Sequence, residues 1–557
     1  MKTCVQCQQA FEVSAEDKNF YDKISPVIAG QKFPIPEPTR CPDCRRRRRL
    51  SFRNERFLYK RICDFSKKNI ISTFSPDKPN QIYDREIWWS DAWDPLSYGR
   101  GFDLSKSVFE VLNEMMIQVP ITNLFIDGEN VNSDYTNQAG DNKNCYLIFN
   151  AALNEDCMYS RGIGKCRDSL DLYFARNDEL CYECVNCHDS YNLSFSQNSN
   201  SCRDSSFLFD CTGCSNCFCC TNLRQKKYCI ENIQYSQSEY ESRMKEISLG
   251  LYKTWKQYAE RFQYICAQAV HKYNRNINVQ DCLGDYISNS KNAVYCYEVD
   301  SCEDCSYCDS VKFAKDCYDV LGSGYNSELM YETTGTGASS QNALFCWNCP
   351  TVSNLMYCIN CYVSRNCFGC VSLRNKEYCI FNKQYSKEEY ENLLPRVIGK
   401  MIQDKEWGEF FPSTLSPFDY NETLAQEYYP KTKEEVLFEG LKWKEDEGRM
   451  GNGIEKYEFP DSISEVSDGI CQEVLICEKT GKPFKILKQE LEFYRQKNLP
   501  IPRLCPDQRH LERVALRNPW KLWERVCVKC GVVVKTTYGP ERKERVYCEG
   551  CYLQEVY

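Results

Sequence analysis

The cysteines in the middle of the chain are spaced in steps of three residues, and this spacing excludes regular secondary structure. From Cys145 to Cys229 every interval between successive cysteines is a multiple of three, apart from those made by Cys219. An α-helix repeats about every 3.6 residues and a flat strand every 2, so neither puts every third residue on one side. A narrow parallel coil of short straight runs and corners does. The spacing therefore predicts a β-solenoid with inward cysteines.

Two interpretations of the central cysteines are open. Triplets such as Cys181, Cys184 and Cys187 could ligate additional zinc, or the thiols could fill a cramped axis as small hydrophobic groups. Leucine and serine share the same three-residue phase, for example at Leu193 and Leu208. Because those side chains do not ligate zinc as cysteine does, packed thiols are the favoured interpretation.

The predicted coil is duplicated. The segment NLRQKKYCIENIQYSQSEYE, ending at Glu241, returns as SLRNKEYCIFNKQYSKEEYE, ending at Glu391. A helical stretch follows each copy, with a capping box that begins at Ser236 or Ser386. We expect these helices to cover the solenoid ends, where unpaired strand edges would promote aggregation. In the second copy the cysteine phase shifts once, across the Gly/Ser-rich GSGYNSELMYETTGTGASS.

Two CxxC pairs near each end of the chain form the pattern of a zinc ribbon. The predicted ligands are Cys4, Cys7, Cys41 and Cys44 at the N-terminus, and Cys527, Cys530, Cys548 and Cys551 at the C-terminus. The C-terminal pairs enclose the segment GVVVKTTYGPERKERVY, which predicts a β-hairpin. The N-terminal insert is longer and contains a short predicted helix capped by Ser14. Four thiolates in each place would bind one zinc ion tetrahedrally.

A degenerate ribbon module lies beside each intact one. The N-terminal ligand positions recur as Cys477, Thr480, Cys505 and Gln508, and the C-terminal positions recur as Cys63, Ser66, Asp84 and Ile87. Two ligands are lost in the first of these modules and three in the second, so two zinc ions per chain are expected. A remnant site made of Cys477 and Cys505 with Cys471 or His510 is the alternative.

These patterns predict a mainly β chain with helical lids, in which zinc ribbons at both termini flank a duplicated cysteine-rich β-solenoid-like region. The predicted segments are a zinc ribbon with a basic tail at 1–62, a degenerate ribbon and linker at 63–128, the first repeat copy at 129–235, a helical lid at 236–277, the second copy at 278–385, a helical and aromatic connector at 386–470, a degenerate ribbon at 471–525 and the C-terminal ribbon at 526–557.

Composition indicates the cellular compartment of the protein and limits the kinds of ligand that it could bind. A chain of 557 residues with 39 cysteines and no apolar signal stretch is expected to be cytoplasmic, where thiols stay reduced and bind metal or pack in cores. No apolar run is long enough to predict a membrane span. The net charge of -8 argues against a general nucleic-acid coat, so any such contact must be local.

The densest basic cluster follows the second N-terminal CxxC pair. It consists of Arg45, Arg46, Arg47, Arg48 and Arg49, extended by Arg53 and Arg56. Guanidinium groups contact phosphates, and the interleaved Phe52 and Phe57 could stack on exposed bases. A solvated helix face is the alternative interpretation.

The chain resembles a family of large, uncharacterised zinc-ribbon proteins from uncultured small-genome bacteria. The resemblance covers essentially the whole length and rests on CPDCRRRRRLSFRNERFLYKR, ISTFSPDKP, WWSDAWDPLSYGRGFD, WGEFFPSTLSPFDYNET and LEFYRQKNLPIPRLCPDQRHLERVALRNP. The first module also resembles the short bacterial "probable zinc-ribbon" domain through its CxxC, F, FY, CxxCR pattern. The resemblance implies zinc binding and no established activity.

We therefore predict a non-enzymatic zinc-binding protein that binds nucleic acid, either RNA or a ribosomal surface, through its ribbons and basic cluster. The alternative is a protein-interaction scaffold built on the solenoid. An enzyme is less favoured, because both intact sites are closed four-cysteine sets and a catalytic zinc needs an open position. A CoA-transferase activity has no supporting residues.

Overall fold

The chain forms two compact units, and each unit is built from two separate segments of the sequence. The computed structural model describes residues 1–103, 105–309, 312–318, 321–323, 327–337, 339–445 and 457–557. Unit 1 consists of Met1–Leu124 and Asn274–Lys444, and unit 2 of Phe125–Tyr273 and Glu445–Tyr557. Each unit therefore contains one cysteine-rich repeat copy and ribbon modules from one end of the chain.

The described residues form a mixed structure of many short strands and twelve α-helices. The helices are α1 (Ala15–Ile24), α2 (Pro42–Leu50), α3 (Arg85–Trp89), α4 (Val108–Gln118), α5 (Gln237–Glu246), α6 (Tyr252–Gln268), α7 (Lys387–Gln403), α8 (Leu424–Tyr428), α9 (Lys433–Phe438), α10 (Lys488–Lys497), α11 (Pro506–Ala515) and α12 (Glu549–Val556). Within these residues no helix is long and apolar enough to cross a membrane.

In unit 2 the first repeat copy forms parallel strands in which each residue pairs with the residue twelve positions further on. Phe149 pairs with Arg161, and Arg161 with Tyr173. The strands are Thr136–Gly140, Ile148–Ala152, Arg161–Gly164, Tyr173–Arg176, Tyr191–Ser194, Arg203–Phe209, Ser215–Thr221 and Lys227–Ile230, closed by the antiparallel Ile233–Gln234. We call this set of strands the unit 2 ladder.

The second copy forms an equivalent unit 1 ladder. Its strands are Ile277–Gln280, Leu283–Asp285, Ser288–Lys291, Val294–Tyr297, Asp300–Glu303, Lys312–Tyr318, Leu321–Ser323, Glu328–Tyr331, Thr334–Gly337, Gln341–Leu344, Ser353–Met356, Arg365–Phe368 and Glu377–Ile380, with the antiparallel Lys383–Gln384 at the end. Its register widens by one residue where Cys317 pairs with Met330, and by the same amount where Tyr331 pairs with Leu344. The predicted phase shift thus falls across the expected segment, and it occurs in two one-residue steps. Residues 324–326 and 338 of the predicted segment lie outside the described residues.

A left-handed backbone at every third residue creates the three-residue period. From Gln138 to Glu231 each third residue has positive φ, near +50° in the non-glycine residues, with Gly162 and Gly213 taking two of the places. Asn and Asp tolerate this conformation best among residues with a side chain, and they fill many of these corners. Cys219 falls on a corner, with φ of +55°, which explains why it breaks the cysteine phase.

The cysteines in phase line the inside of each ladder. They form one buried cluster per ladder together with alanine, leucine, isoleucine, valine and methionine. Cys184 is typical: its thiol is fully buried and lies 3.4 Å from the carbonyl oxygen of Tyr182 and 3.6 Å from that of Leu193.

In each three-residue step of a ladder, one residue faces the buried cluster and is called inward here. Its backbone amide needs a hydrogen-bond acceptor from the preceding strand. Backbone bonds such as Lys143 N–H to Asn154 O and Asn144 N–H to Val131 O use the amides of the other two residues. Where the inward side chain twelve residues earlier carries an acceptor, the inward amide bonds to it, as Leu208 N–H does to Ser196 Oγ at 3.0 Å. Cysteine can replace serine, since Cys361 N–H lies 3.4 Å from Cys349 Sγ.

Helices pack on the last parallel strand of each ladder. α5 packs on Lys227–Ile230 and α7 on Glu377–Ile380. Both predicted capping boxes are present, at Ser236 and Ser386. The predicted single helical stretch after the first copy is two helices, α5 and α6, and α6 packs on the outer face of the same ladder.

The remaining strands form two-stranded sheets within the ribbon modules. The antiparallel pairs are Lys2–Thr3 with Ala10–Phe11, Val27–Ile28 with Gln31–Lys32, Tyr59–Ile62 with Asn69–Ser72, Leu475–Ile476 with Pro483–Phe484, and Trp523–Val526 with Val533–Thr536; the parallel pairs are Ile82–Tyr83 with Ile121–Thr122, and Val270–Lys272 with Arg545–Tyr547. Of the predicted connector, residues 446–456 lie outside the described residues.

We expect Ser196→Ala to lower the free energy of unfolding by about 1–3 kcal/mol, because the Leu208 amide would remain buried without an acceptor. Ser215→Ala is the matched control, since Ser215 points outward on the same ladder and is half-buried. Denaturant unfolding followed by circular dichroism measures both. Equal effects of the two substitutions would contradict this account of the ladder.

Candidate metal centres and the buried arginine helix

The N-terminal four-cysteine group is assembled by a hairpin turn and a helix start. Cys4 and Cys7 lie in the turn between Lys2–Thr3 and Ala10–Phe11, where Gln8 adopts a φ of +61° and donates its amide to Cys4 O. Cys41 is the N-cap of α2, and Pro42 begins that helix. The four sulfur atoms lie within 4.8 Å of one another.

The C-terminal group has the same construction. Cys527 and Cys530 lie in the turn after Trp523–Val526, with Gly531 at a φ of +75° donating its amide to Cys527 O. Cys548 is the N-cap of α12 and Cys551 lies in its first turn. These four sulfur atoms also lie within 4.8 Å of one another.

The sulfur–sulfur distances fit a tetrahedral thiolate site, and in each group the pKa of one thiol is lowered while that of another is raised. Four sulfurs at about 2.3 Å from one ion are about 3.8 Å apart, and Cys7 Sγ lies 3.6 Å from Cys41 Sγ, and Cys530 Sγ 3.7 Å from Cys548 Sγ. The hydrogen bond with Cys44 lowers the pKa of Cys41 to about 5. Burial opposes ionisation of Cys527, but the backbone amides of Cys548 and Cys530 lower its pKa to about 6. The thiolate is the metal-binding form.

The predicted ligands are thus brought together, and the remnant sites are not. Among the described residues these two groups are the only sets of three or more Cys, His, Asp or Glu close enough to share an ion. Cys63 Sγ instead accepts the amides of Ser66 at 3.4 Å and Asp84 at 3.3 Å. The central triplets do not form such a group either, in agreement with packed thiols.

The ribbon modules of the two units correspond closely. In the second modules the strands Tyr59–Ile62 and Asn69–Ser72 recur, with equal lengths and at one constant offset, as Trp523–Val526 and Val533–Thr536. In the first modules α2 recurs as α11 at that same offset. Within the described residues the N-terminal first module alone has the extra hairpin of Val27–Ile28 and Gln31–Lys32, which accounts for its long insert.

The structure corrects the assignment of the basic cluster. Exposed guanidinium groups are needed for phosphate contact, yet Arg45, Arg46, Arg48 and Arg49 on α2 retain only 1–4% of their accessible surface and Arg53 retains 6%. Arg47 is half-buried and pairs with Glu439 at 3.3 Å. The half-buried Arg56 also has interactions within the chain. Arg45–Arg49 are therefore a docking face and not a surface for nucleic acid.

The carboxylates that form ion pairs with the arginines of α2 belong to unit 1. Arg46 Nε lies 2.9 Å from Asp309. Arg48 lies 2.8 Å from Glu332 and 2.7 Å from Glu409, and Arg49 shares Glu332 at 3.2 Å. Burial disfavours the charge on Arg48, but the two carboxylates raise the pKa of its guanidinium above the usual value.

Unit 2 repeats this arrangement with α11. Arg513 lies 2.8 Å from Asp171 and 3.0 Å from Glu183, both on the unit 2 ladder. Arg509 lies 3.1 Å from Asp171 and 3.3 Å from Glu490 of α10. Arg45 and Arg49 align with Arg509 and Arg513 at the constant offset between the two modules. This recurrence was a sequence signal that these arginines pair within the chain, and the density of positive charge alone did not reveal it.

No family model matches the chain, and no curated protein matches its sequence. The resemblance to uncharacterised zinc-ribbon proteins and to the probable zinc-ribbon domain stays a prediction.

Glu332→Gln is expected to lower the free energy of unfolding by about 3–5 kcal/mol, because Arg48 and Arg49 would keep their buried charges without this carboxylate. Glu377→Gln removes a carboxylate that pairs with the exposed Arg365 on the same ladder and should have little effect. Denaturant unfolding of both variants provides the comparison. A Glu332→Gln protein as stable as the control would exclude α2 docking as a main source of stability.

Proposed function

We propose that the protein is a non-enzymatic, zinc-dependent binding scaffold of the reducing cytoplasm. In this proposal the unit 2 ladder is a four-sided β-solenoid of twelve-residue coils, the unit 1 ladder is a related solenoid whose coils vary from eleven to thirteen residues, and the ribbon modules pack on both. The observation that carries it is the docking of a ribbon helix on each ladder through buried ion pairs, seen for α2 in unit 1 and α11 in unit 2.

Zinc is the metal that the donor sets favour. Four cysteine thiolates in tetrahedral reach are typical of structural zinc, and a closed sulfur set leaves no coordination position for substrate. When bound, zinc would join the hairpin turn to the helix start in each intact module. The residues that would hold it are the eight cysteines of the two terminal groups.

The solenoid interpretation is supported by register and corners. In the unit 2 ladder twelve residues separate paired residues, and a left-handed residue occurs at every third position, which gives four corners per coil. Corners and short sides of this kind are what the three-residue phase predicted.

A protein partner is favoured for the unit 2 ladder because one of its sides faces solvent. The residues on that side follow one another at twelve-residue intervals: Lys143, Glu155, Arg167, Glu179, Tyr191, Arg203, Ser215 and Lys227. All are exposed or half-buried, and the charges of the first four alternate in sign. Such an extended side with mixed charge suits a protein surface better than a polyanion. With most of Arg45–Arg49 buried, the scaffold role takes precedence over RNA or ribosome binding through that helix.

Purified protein should contain two zinc ions per chain. Cys7→Ser and Cys530→Ser each remove one exposed ligand and should each reduce the content to one, whereas Cys63→Ser should leave it at two. Elemental analysis together with protein quantification measures the ratio. Five or more zinc ions would show that the ladders also bind metal, and none would remove zinc from the proposal.

The scaffold role predicts a protein partner whose binding to the chain is unaffected by ribonuclease. Tagged chain recovered from its native cells should retain the same partner after ribonuclease treatment and lose it with Tyr191→Ser combined with Arg203→Glu. Arg365→Glu, on an exposed position of the unit 1 ladder, is the control and should retain it. Complete loss of partners after ribonuclease would contradict the proposal.

A further inference from the structure

The degenerate second ribbon of unit 1 exposes lysines and one edge-packed aromatic ring along a single strand and the turn that follows it. Lys60 and Ile62 are alternate residues of one strand and share a face, and both are exposed. The turn after that strand presents Phe65, Lys67 and Lys68, also exposed. Ile62 retains 57% of its accessible surface and Phe65 46%. We call these five residues the Lys60 surface.

The positive charges of this surface are not neutralised within the part of the chain that the structure describes. No carboxylate there lies within ion-pair distance of Lys60, Lys67 or Lys68, and the Lys67 ammonium group donates to a backbone carbonyl, Asp64 O, at 2.6 Å. The Asp64 carboxylate is occupied by Arg61 at 3.3 Å and by the Ile82 amide at 2.7 Å. Three ammonium groups therefore remain available to an external anion.

The corresponding ribbon of unit 2 provides an internal comparison. At the positions equivalent to Lys60, Ile62, Phe65, Lys67 and Lys68 it has, in the same order, Glu524, Val526, Lys529, Gly531 and Val532. The intact ribbon thus has one lysine, one glutamate and no aromatic ring where the degenerate one has three lysines and a phenylalanine. Because the two modules share their strands, this difference is one of surface chemistry and not of fold.

The Lys60 surface is shaped without a metal ion. Cys63 Sγ holds the turn by accepting the amides of Ser66 and Asp84. Cys63 N–H donates to Lys68 O at 2.8 Å, and Lys67 N–H donates to Cys63 O at 3.0 Å. These bonds fix the backbone of the turn that carries Phe65, Lys67 and Lys68.

We propose that the Lys60 surface binds single-stranded nucleic acid. Three lysines around an exposed ring match the backbone charge and the unpaired bases of a single strand, since phosphates attract ammonium groups and bases stack on aromatic rings. A base-paired duplex hides its base faces and leaves Phe65 without a stacking partner. An apolar protein partner would gain nothing from the three unpaired charges. This proposal does not depend on zinc or on the scaffold role.

The test measures binding of fluorescent 20-nucleotide oligouridylate and oligothymidylate to the full-length protein by anisotropy. Wild-type protein should bind both single strands at 50 mM salt, and binding should weaken as salt increases. A variant with Lys60→Gln, Lys67→Gln and Lys68→Gln should lose at least about tenfold in affinity, and the slope of log affinity against log salt should fall by about 2, or 0.7 per lost phosphate contact. Phe65→Leu, which removes the ring and keeps an apolar side chain, should lose about tenfold with little change in slope.

The matched control carries Lys529→Gln, Lys535→Gln and Lys543→Gln on the unit 2 ribbon, which removes the same charge from exposed positions. Its affinity should stay within twofold of wild type. Circular dichroism and an unchanged zinc content establish that each variant is folded. Binding of one strand but not the other would identify RNA or DNA as the source of the ligand. The proposal is overturned if wild-type protein binds neither strand, if the control loses as much as the Lys60 variant, or if a duplex binds as tightly as the single strands.

Discussion

The inward amide of each triplet is the constraint on which both ladders depend. Within each run of three residues, the backbone pairs two amides and leaves the third facing the buried cluster of the ladder. A buried amide without a partner is strongly destabilising, so the inward side chain of the strand before must supply an acceptor or the amide must be tolerated unpaired. Serine, asparagine and cysteine meet this demand at Ser196, Asn142 and Cys349. The cysteine richness of the middle region thus follows from backbone chemistry as well as from the small size of the thiol.

The ribbon modules also cover the aromatic residues on the sides of the ladders. In unit 1, Phe20 of α1 stacks on Tyr318 with 3.8 Å between ring centroids, and α2 adds its buried ion pairs. In unit 2, Tyr494 of α10 packs against Tyr182 beside the pairs of α11. Charge pairs in such places give little net stability over apolar packing, but an unpaired partner is severely destabilising. They therefore fix where each module sits.

Much of the candidate site could be predicted from the sequence, because ligand spacing in a zinc ribbon is a local property. The pairs at Cys4 and Cys7 and at Cys527 and Cys530 are brought together with their partners as expected. The three-residue phase likewise predicted a period that is neither helical nor extended. The basic cluster was assigned wrongly, because a run of arginines looks the same whether its partners are phosphates or distant carboxylates. Glu332 lies 284 residues from Arg48, and only the folded chain brings them together.

The order of segments along the chain has a consequence for biosynthesis. Asp171 and Arg509 are partners in unit 2, yet 338 residues separate them. At a ribosomal rate of roughly 5–20 residues per second, the carboxylate emerges about 17–68 s before its guanidinium partner. During that interval the aromatic side of the unit 2 ladder is made but uncovered, because α10 and α11 have not yet left the ribosome. The nascent chain consequently exposes this aromatic surface, which promotes aggregation, for longer than its size alone would require.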